Sequence, residues 1–236
     1  MRWLALWLAC ACGAAGAQEV ARIDDLPLSA EDLNLTDAAS RPAAAAALRQ
    51  RAMKSALERF VAQHRLQASE EDLAAYAKWN DEFQRLEKER RARRLREVEA
   101  GLNQPGIAAA QREQFQRERD TLRKLAQLDG ARAAASRDTA ARKRVWGQWI
   151  VGFKANRALY EKYGGRLGLT KFGPEPIGAL EALLREGEKA GHMRIFDAAL
   201  AKEFWGWYAA QPRRVARPEE IDFTYYWTKP LPGSAQ

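Results

Sequence analysis

Side chains that could catalyse a reaction or bind a metal are few in this chain of 236 residues and lie far apart. The sequence has two histidines, His64 and His192, and two cysteines, Cys10 and Cys12. Zinc sites combine three or four Cys, His or acidic ligands at short spacings, which this pattern does not offer. The motifs G-x-x-x-x-G-K-[ST], G-x-G-x-x-G and G-x-S-x-G do not occur in the sequence either. We therefore expect no enzyme, no cofactor and no metal centre.

Two groups of neighbouring carboxylates are the next candidates for chemistry. The first, Glu70-Glu71-Asp72, directly follows Ser69, and the second contains Glu220 and Asp222. Acidic residues in the first turn of a helix compensate the positive end of the helix dipole, and a preceding serine caps its free amides. We interpret Ser69 as a helix cap and the first group as its partner, rather than as a catalytic pair.

Aromatic residues indicate a binding surface more clearly than the polar residues do. Six tryptophans lie beyond residue 17, and five of them follow Arg144. Trp205 and Trp207 cannot share one face of a helix, so one of them must be exposed or line a cleft. We predict a surface that binds apolar segments, formed by Trp146, Trp149, Phe153, Tyr163, Phe204, Trp205, Trp207 and Tyr208.

A ligand pocket is an alternative for part of this region. Gly164-Gly165-Arg166 and residues 171–176 could line such a pocket together with Trp146, Trp149 and Tyr163. Glycine and proline at these positions are equally typical of tight connections between helices.

Two long helical patterns, from Ser69 to Tyr163, must position these residues. They meet at residues 101–106, where Asn103, Pro105 and Gly106 favour a turn. Apolar residues recur at steps of three or four, the helical period. Residues 87–94 interrupt this pattern with eight positions of which seven are charged, and a helix so charged must be solvated. We predict an antiparallel helical hairpin that pairs Leu86 with Leu122 and Val98 with Ala110.

The basic residues between Lys88 and Arg96 allow two interpretations. They could meet nucleic acid, anionic lipid head groups or cell-wall polymers. However, Glu87, Glu89 and Glu97 interleave with them, at the spacing at which Glu and Lys or Arg pair along a helix. We expect a solvated, self-paired surface and no nucleic-acid partner.

The first 17 residues are typical of a secretory signal peptide. Met1-Arg2 is basic, Trp3 to Ala9 is apolar, and Ala15-Gly16-Ala17 offers a cleavage site before Gln18. Neither Cys10 nor Cys12 follows the Leu-small-small run of a lipoprotein, so we expect no lipid anchor. Cleavage would leave 38 basic and 31 acidic residues, a charge of +7, and no cysteine. We expect a periplasmic or secreted protein without a membrane span.

The remaining sequence predicts a mainly α-helical fold with at most a short strand near residues 20–23. We divide the chain into the signal peptide (1–17), an N-terminal segment (18–68), the hairpin arm (69–144), an aromatic-rich helical body (145–228) and a disordered tail (229–236). Ser29 and Asp32 have the spacing of a capping box before a helical turn. Gly164-Gly165 and Gly191 are expected to end helices.

Three stretches in residues 20–80 resemble the N-terminal module of SurA-like periplasmic chaperones. They are V-A-R-I-D-D-L-P-L-S from Val20, A-L-E-R-F-V from Ala56, and L-Q-A-S-E-E-D-L from Leu66. Asp24-Asp25 stands where that family usually has Asn-Gly, and no parvulin isomerase domain follows. The resemblance implies chaperone-like holding of client proteins without prolyl isomerisation.

Two functions follow as hypotheses from these observations. The first is a non-enzymatic periplasmic chaperone-like protein that holds apolar segments of exported proteins between arm and body. The second is an envelope structural or adaptor protein that binds one folded partner through the hairpin tip near residues 101–106. The oligomeric state, and whether the hairpin pairs within or between chains, stay open.

Overall fold

The computed structural model describes residues 18–135, 139–170, 173–210, 215–217 and 220–231. The predicted signal peptide, with Cys10 and Cys12, therefore lies outside the described residues. The chain divides into two compact units. The first contains the residues up to Phe60 together with Leu159–Ala216, and the second contains Val61–Ala158 and the residues from Arg217 onward.

The first unit is a small antiparallel sheet with helices. Strand β1 (Glu19–Ile23) lies between β2 (Leu26–Ser29) and β5 (Met193–Ile195). Strands β3 (Gly168–Thr170) and β4 (Gly173–Glu175) form a separate hairpin. Helices α1 (Arg41–Gln63), α5 (Ile177–Lys189) and α6 (Ala198–Ala209) supply most of the core, in which Leu48, Phe60, Leu184, Leu200 and Phe204 are almost completely buried.

Local sequence signals account for the ends of these elements. The Ser29 amide and hydroxyl donate to the Asp32 carboxylate at 2.8 and 2.7 Å, which confirms the predicted capping box. Asp197 caps α6 by accepting the Leu200 amide at 2.8 Å. Helix α4 (Thr139–Tyr163) ends at Gly164 and Gly165, both at positive φ, and Gly191 follows α5 in the same conformation. The predicted glycine stops are thus confirmed.

The mainly α-helical class is confirmed, whereas the expectation of at most one short strand is wrong. The described residues contain five strands, of which β1 is the predicted one. Strands β3, β4 and β5 lie within residues 145–228, which we expected to be a helical body, and α6 starts only at Ala198. A strand of three residues is too short to show an alternating pattern, and β1, the partner of β5, lies far away in the sequence.

The second unit is built on the predicted hairpin. Helix α2 (Glu70–Leu102) begins with the Ser69 capping box, in which the Ser69 hydroxyl accepts the Asp72 amide and Asp72 accepts the Ser69 amide at 2.9 Å. Helix α3 (Ala109–Ala135) returns along α2 within the same chain, so the hairpin pairs within one chain in this structure.

The register of the hairpin differs from the predicted pairing. Gly101 lies against the ring of Phe115, and Arg94 pairs with Glu118 at 2.7 Å. The predicted register would have placed Ile107 opposite Gly101, eight residues before Phe115, and Gln114 opposite Arg94, four residues before Glu118. Charged side chains are long and flexible, and they can form ion pairs in several alignments of α2 and α3. The charge pattern of the sequence therefore could not determine the register of the two helices.

The two units do not follow the linear segments drawn from the sequence. The sheet of the first unit joins the N-terminal segment to residues 193–195, and the second unit joins α2 to residues beyond Arg217. Of the predicted disordered tail, Lys229 forms an ion pair with Asp222, while residues 232–236 lie outside the described part of the chain. No helix in the described ranges is long and apolar enough to span a membrane.

Candidate apolar binding site

An aromatic cluster at the base of the hairpin is the most conspicuous feature of the second unit. We call it the aromatic base. It is formed where α2, α4 and the C-terminal segment meet, and its rings belong to Tyr76, Trp79, Trp146, Phe153, Tyr225, Tyr226 and Trp227. Ile150 on α4 is completely buried beneath these rings, and Trp227 is 4% exposed.

Helical spacing explains why α2 and α4 present these rings together. Tyr76, Trp79 and Phe83 follow one another at steps of three and four and so share one face of α2. Trp79 and Phe83 stack with ring centres 5.2 Å apart. On α4, Trp146, Ile150 and Phe153 repeat the same spacing, and Trp146 meets Tyr76 at 5.7 Å.

The third part of the aromatic base is residues 220–231, which we call the strap. Trp227 lies 5.8 Å from Tyr76 and 5.5 Å from Phe153 between ring centres, both edge-to-face. Tyr226 meets Trp79 at 5.0 Å, also edge-to-face. Such arrangements are favoured by the ring quadrupoles in addition to the area that they bury. Burial raises the pKa of Tyr226, so its hydroxyl stays protonated throughout the physiological range.

A partly buried ion pair joins α2 to α4 beside the aromatic base. Lys154 donates to Asp72 at 2.6 Å and to the Gln67 carbonyl at 2.9 Å. Burial alone would raise the pKa of Asp72, but the hydrogen bonds from Lys154 and Ser69 outweigh this, and the pKa is lowered. Asp72 therefore has two roles. It belongs to the helix cap, as predicted from the sequence, and it is also the ion-pair partner of Lys154.

Several large apolar side chains of the second unit remain open to solvent. Val145 and Trp149 on α4 are each 50% exposed, and their spacing of four residues places them on one face. On the hairpin, Phe83, Leu125 and Leu128 are also among the exposed large hydrophobic residues. The second unit thus carries both a buried aromatic core and a solvated apolar surface.

The predicted binding residues are divided between the two units. Trp146 and Phe153 belong to the aromatic base, and Trp149 to the exposed surface beside it. The other five lie in the first unit. There Phe204 and Tyr208 are buried, and Tyr163 donates its hydroxyl to Glu186 at 2.7 Å.

Helix α6 carries the predicted pair of tryptophans. Trp207 is 47% exposed, and Trp205 is partly buried, so the prediction that one of the two is exposed is confirmed. The Arg185 guanidinium stacks 3.4 Å from the centre of the Trp205 ring, and Arg49 lies 5.4 Å from that of Trp207. Trp205 is thus covered by a cation rather than presented as an apolar surface.

A polar cluster in the first unit was not foreseen from the sequence. Asp24, in the turn between β1 and β2, accepts the Ser55 hydroxyl at 2.5 Å and pairs with Arg59. His192 Nδ1 lies 3.4 Å from the same carboxylate. Desolvation opposes ionisation of Asp24, but Ser55 and Arg59 lower its pKa below the ordinary value.

This polar cluster is arranged to stabilise the turn. Asp24 has φ of +50°, a conformation in which Asp and Asn are tolerated better than most residues. Ser55 donates to a carboxylate that Arg59 keeps ionised, so the carboxylate is a poor base for activating the hydroxyl. Sequence reasoning missed the cluster because its members come from three distant segments.

The remaining candidates from the sequence have ordinary surroundings. His64 is exposed just beyond the end of α1. Glu220 accepts the Arg217 amide at 3.0 Å. Arg166 of the suggested pocket donates to the Tyr208 carbonyl, while Lys171 and Phe172 lie outside the described residues. Within the described ranges, no group of three His, Cys, Asp or Glu residues could hold a metal ion.

Comparison of the chain with known protein families, with curated proteins and with solved structures finds no match.

Proposed function

We propose that this protein is a non-enzymatic, chaperone-like protein of the periplasm that holds apolar segments of other exported proteins. The observation that carries the proposal is the solvated apolar surface of the second unit. Val145, Trp149, Phe83, Leu125 and Leu128 are all large hydrophobic residues that remain exposed there. Val145 and Trp149 also lie four residues apart on one face of α4, and neighbouring exposed apolar side chains are typical of interaction surfaces.

The charge distribution of the hairpin suits such a role. Arg94 pairs with Glu118, Glu99 with Arg123 and Arg91 with Asp129, so three ion pairs join the two helices along the arm. Exposed ion pairs add little to stability, but they keep a long helical pair strongly hydrated. A hydrated arm beside an apolar surface would keep a complex with an unfolded client in solution.

The strength of holding can be estimated from the exposed area. Covering apolar surface contributes about 25 cal/mol per Å², and large side chains that are half exposed can each supply roughly 1 kcal/mol. Ordering of the client opposes this gain, so we expect weak and reversible binding. Reversibility without an energy source suits a protein that must release its clients.

Suppression of aggregation by the mature chain tests the proposal. We expect the double variant Val145→Ser and Trp149→Ser to need about thirty-fold more protein than the native chain to suppress aggregation of an unfolded exported protein, since it loses about 2 kcal/mol of contacts. The matched control is Arg144→Ser with Gln148→Ser, two exposed neighbours at the same spacing on α4. The control should behave as the native chain does.

Two results would contradict the proposal. A native chain that does not suppress aggregation would exclude the holding function, and full activity of the Val145→Ser, Trp149→Ser variant would exclude this surface. A variant lacking residues 86–122 should also lose activity if the arm contributes to holding.

Capture of a single partner in fixed stoichiometry would instead support an adaptor that binds through the tip. We favour holding because the tip residues 103–106 are polar or small and exposed.

A further inference from the structure

The strap covers aromatic side chains of α2 that lie next to Phe83, one of the exposed apolar residues of the second unit. Trp79 contacts Tyr226 of the strap and also stacks on Phe83, which is 36% exposed. One row of rings on α2 therefore passes from beneath the strap into solvent. A client bound on the exposed part would reach the edge of the strap.

The strap holds its own conformation through internal polar contacts. Asp222 pairs with Lys229 and accepts the Thr224 amide at 2.8 Å. The Thr228 hydroxyl and amide both donate to the Tyr225 carbonyl, at 2.7 and 2.9 Å. The hydrogen bond from Lys229, followed by that from the Thr224 amide, lowers the pKa of Asp222 to about 2. The strap therefore contains a turn that is closed by contacts within residues 222–229.

Ring contacts dominate the attachment of the strap to the helices. Tyr225, Tyr226 and Trp227 pack against Phe153, Trp79 and Tyr76. Lys154 lies 5.8 Å from the Tyr225 ring centre, as a cation over its face. The Tyr226 and Tyr76 hydroxyls approach each other at 3.5 Å, the outer limit of a hydrogen bond.

The fit of the strap is also imperfect at its most buried residue. The indole Nε1 of Trp227 is buried and has no hydrogen-bond partner among the described residues. Burying an unsatisfied donor costs roughly 1–3 kcal/mol, which weakens the docking of the strap. A competing segment without a donor at this position would not bear that cost.

We propose that the strap is a displaceable occupant of the groove between α2 and α4, and that this groove receives client segments of the same chemistry. The ligand class is a peptide that can form a similar turn and carries several aromatic side chains within five residues, as Phe223 to Trp227 do. This inference rests on the proposed holding function and adds to it the kind of segment held and the element that competes with it.

Binding of a labelled peptide to the full mature chain tests the inference. The peptide has the sequence of residues 220–231, and fluorescence anisotropy reports its binding. We expect weak binding to the native chain, because its strap occupies the groove. Binding to the Trp227→Ala variant should be about ten-fold tighter, because the apparent affinity rises in proportion to the fraction of molecules whose groove is open. The matched control is Trp207→Ala, the same change at an exposed tryptophan of the other unit.

A second variant tests the inference independently, in case Trp227→Ala does not fold. Asp222→Asn with Lys229→Met removes the ion pair that closes the strap and leaves the groove residues unchanged. We expect it to bind the peptide about three-fold more tightly than the native chain, since an exposed pair contributes less than a buried ring. Circular dichroism at 222 nm confirms that each variant retains its helices.

The outcomes separate this inference from the proposed function. If folded Trp227→Ala and the double variant bind the peptide no more tightly than the native chain does, the strap is a fixed part of the core and the inference is wrong. A peptide whose four aromatic residues are replaced by leucine should bind about ten-fold more weakly, and equal binding would refute the aromatic ligand class. Failure of the holding function would appear instead in the aggregation assay.

Discussion

Helix α2 takes part in two regions of opposite character. At its start, the aromatic base packs rings from α2, α4 and the strap around Ile150, which is completely buried. Further along, the distal arm (residues 86–123) has a narrow seam containing Val98, flanked by ion pairs such as Arg94–Glu118. Helix α2 is continuous through both regions, so its backbone conformation does not show which region contributes more to the free energy of unfolding. Burial indicates that the base anchors the hairpin and that the arm extends from it.

The largest expected effect comes from the core of the aromatic base. Ile150→Ala would leave a cavity under Tyr76 and Trp227, and we expect a loss of about 3 kcal/mol in the free energy of unfolding. Leu128→Ala on the hairpin removes a side chain that is largely exposed, and we expect less than about 1 kcal/mol. Urea denaturation of both variants measures the difference. Equal losses would show that the base is no more tightly packed than the hairpin.

An intermediate effect is expected where the ion pair joins α2 to α4. Asp72→Asn leaves the partly buried Lys154 without its charged partner, and we expect a loss of about 2 kcal/mol at pH 7. Glu70→Gln is the control, because its pair with Lys143 is exposed and should contribute less than about 0.5 kcal/mol.

The pH dependence of the Asp72→Asn effect follows from the lowered pKa of Asp72. A carboxyl whose pKa is lower in the folded protein stabilises the fold above its unfolded pKa, and this contribution disappears as the pH falls through the folded pKa. The native chain should therefore lose its advantage over Asp72→Asn below about pH 4. An advantage that stays constant down to pH 2 would contradict the assignment of the effect to the charge.

The smallest effect tests whether the distal arm contains a tight contact. A Cβ added at Gly101 would lie 2.5 Å from the Phe115 ring, so the ring would have to move. The gain in helix propensity from Gly to Ala, about 1 kcal/mol, opposes this cost, and we expect Gly101→Ala to change stability by less than about 1 kcal/mol.

A double-mutant cycle isolates the contact itself. In a Phe115→Ala background, Gly101→Ala should stabilise by about 1 kcal/mol, as Gly152→Ala should on α4, where no atom lies within 4 Å of the added Cβ. The same stabilisation in both backgrounds would show that Gly101 does not set the approach of the two helices.

Much of the local structure could be read from the sequence. The hairpin, its Ser69 cap, the glycine stops after α4 and α5, and the exposure of one residue of the Trp205 and Trp207 pair follow from spacing and backbone chemistry within a few residues. Such features depend on interactions between residues that are close together in the sequence, so the sequence alone is enough to predict them. The candidate site was partly predicted, because Trp146 and Phe153 belong to the aromatic base.

The composition and periodicity of the sequence by themselves determined the mainly helical class, the long hairpin and the solvated character of its charged arm. The tertiary structure alone decided the pairing of β1 with β5, the meeting of Asp24 with Ser55 and His192, the hairpin register, and the closure of the aromatic base by the strap. These contacts join residues that are distant along the chain. Many alternative pairings of helices and strands would bury a similar apolar area. Which pairing forms depends on how closely the side chains of the two elements fit together.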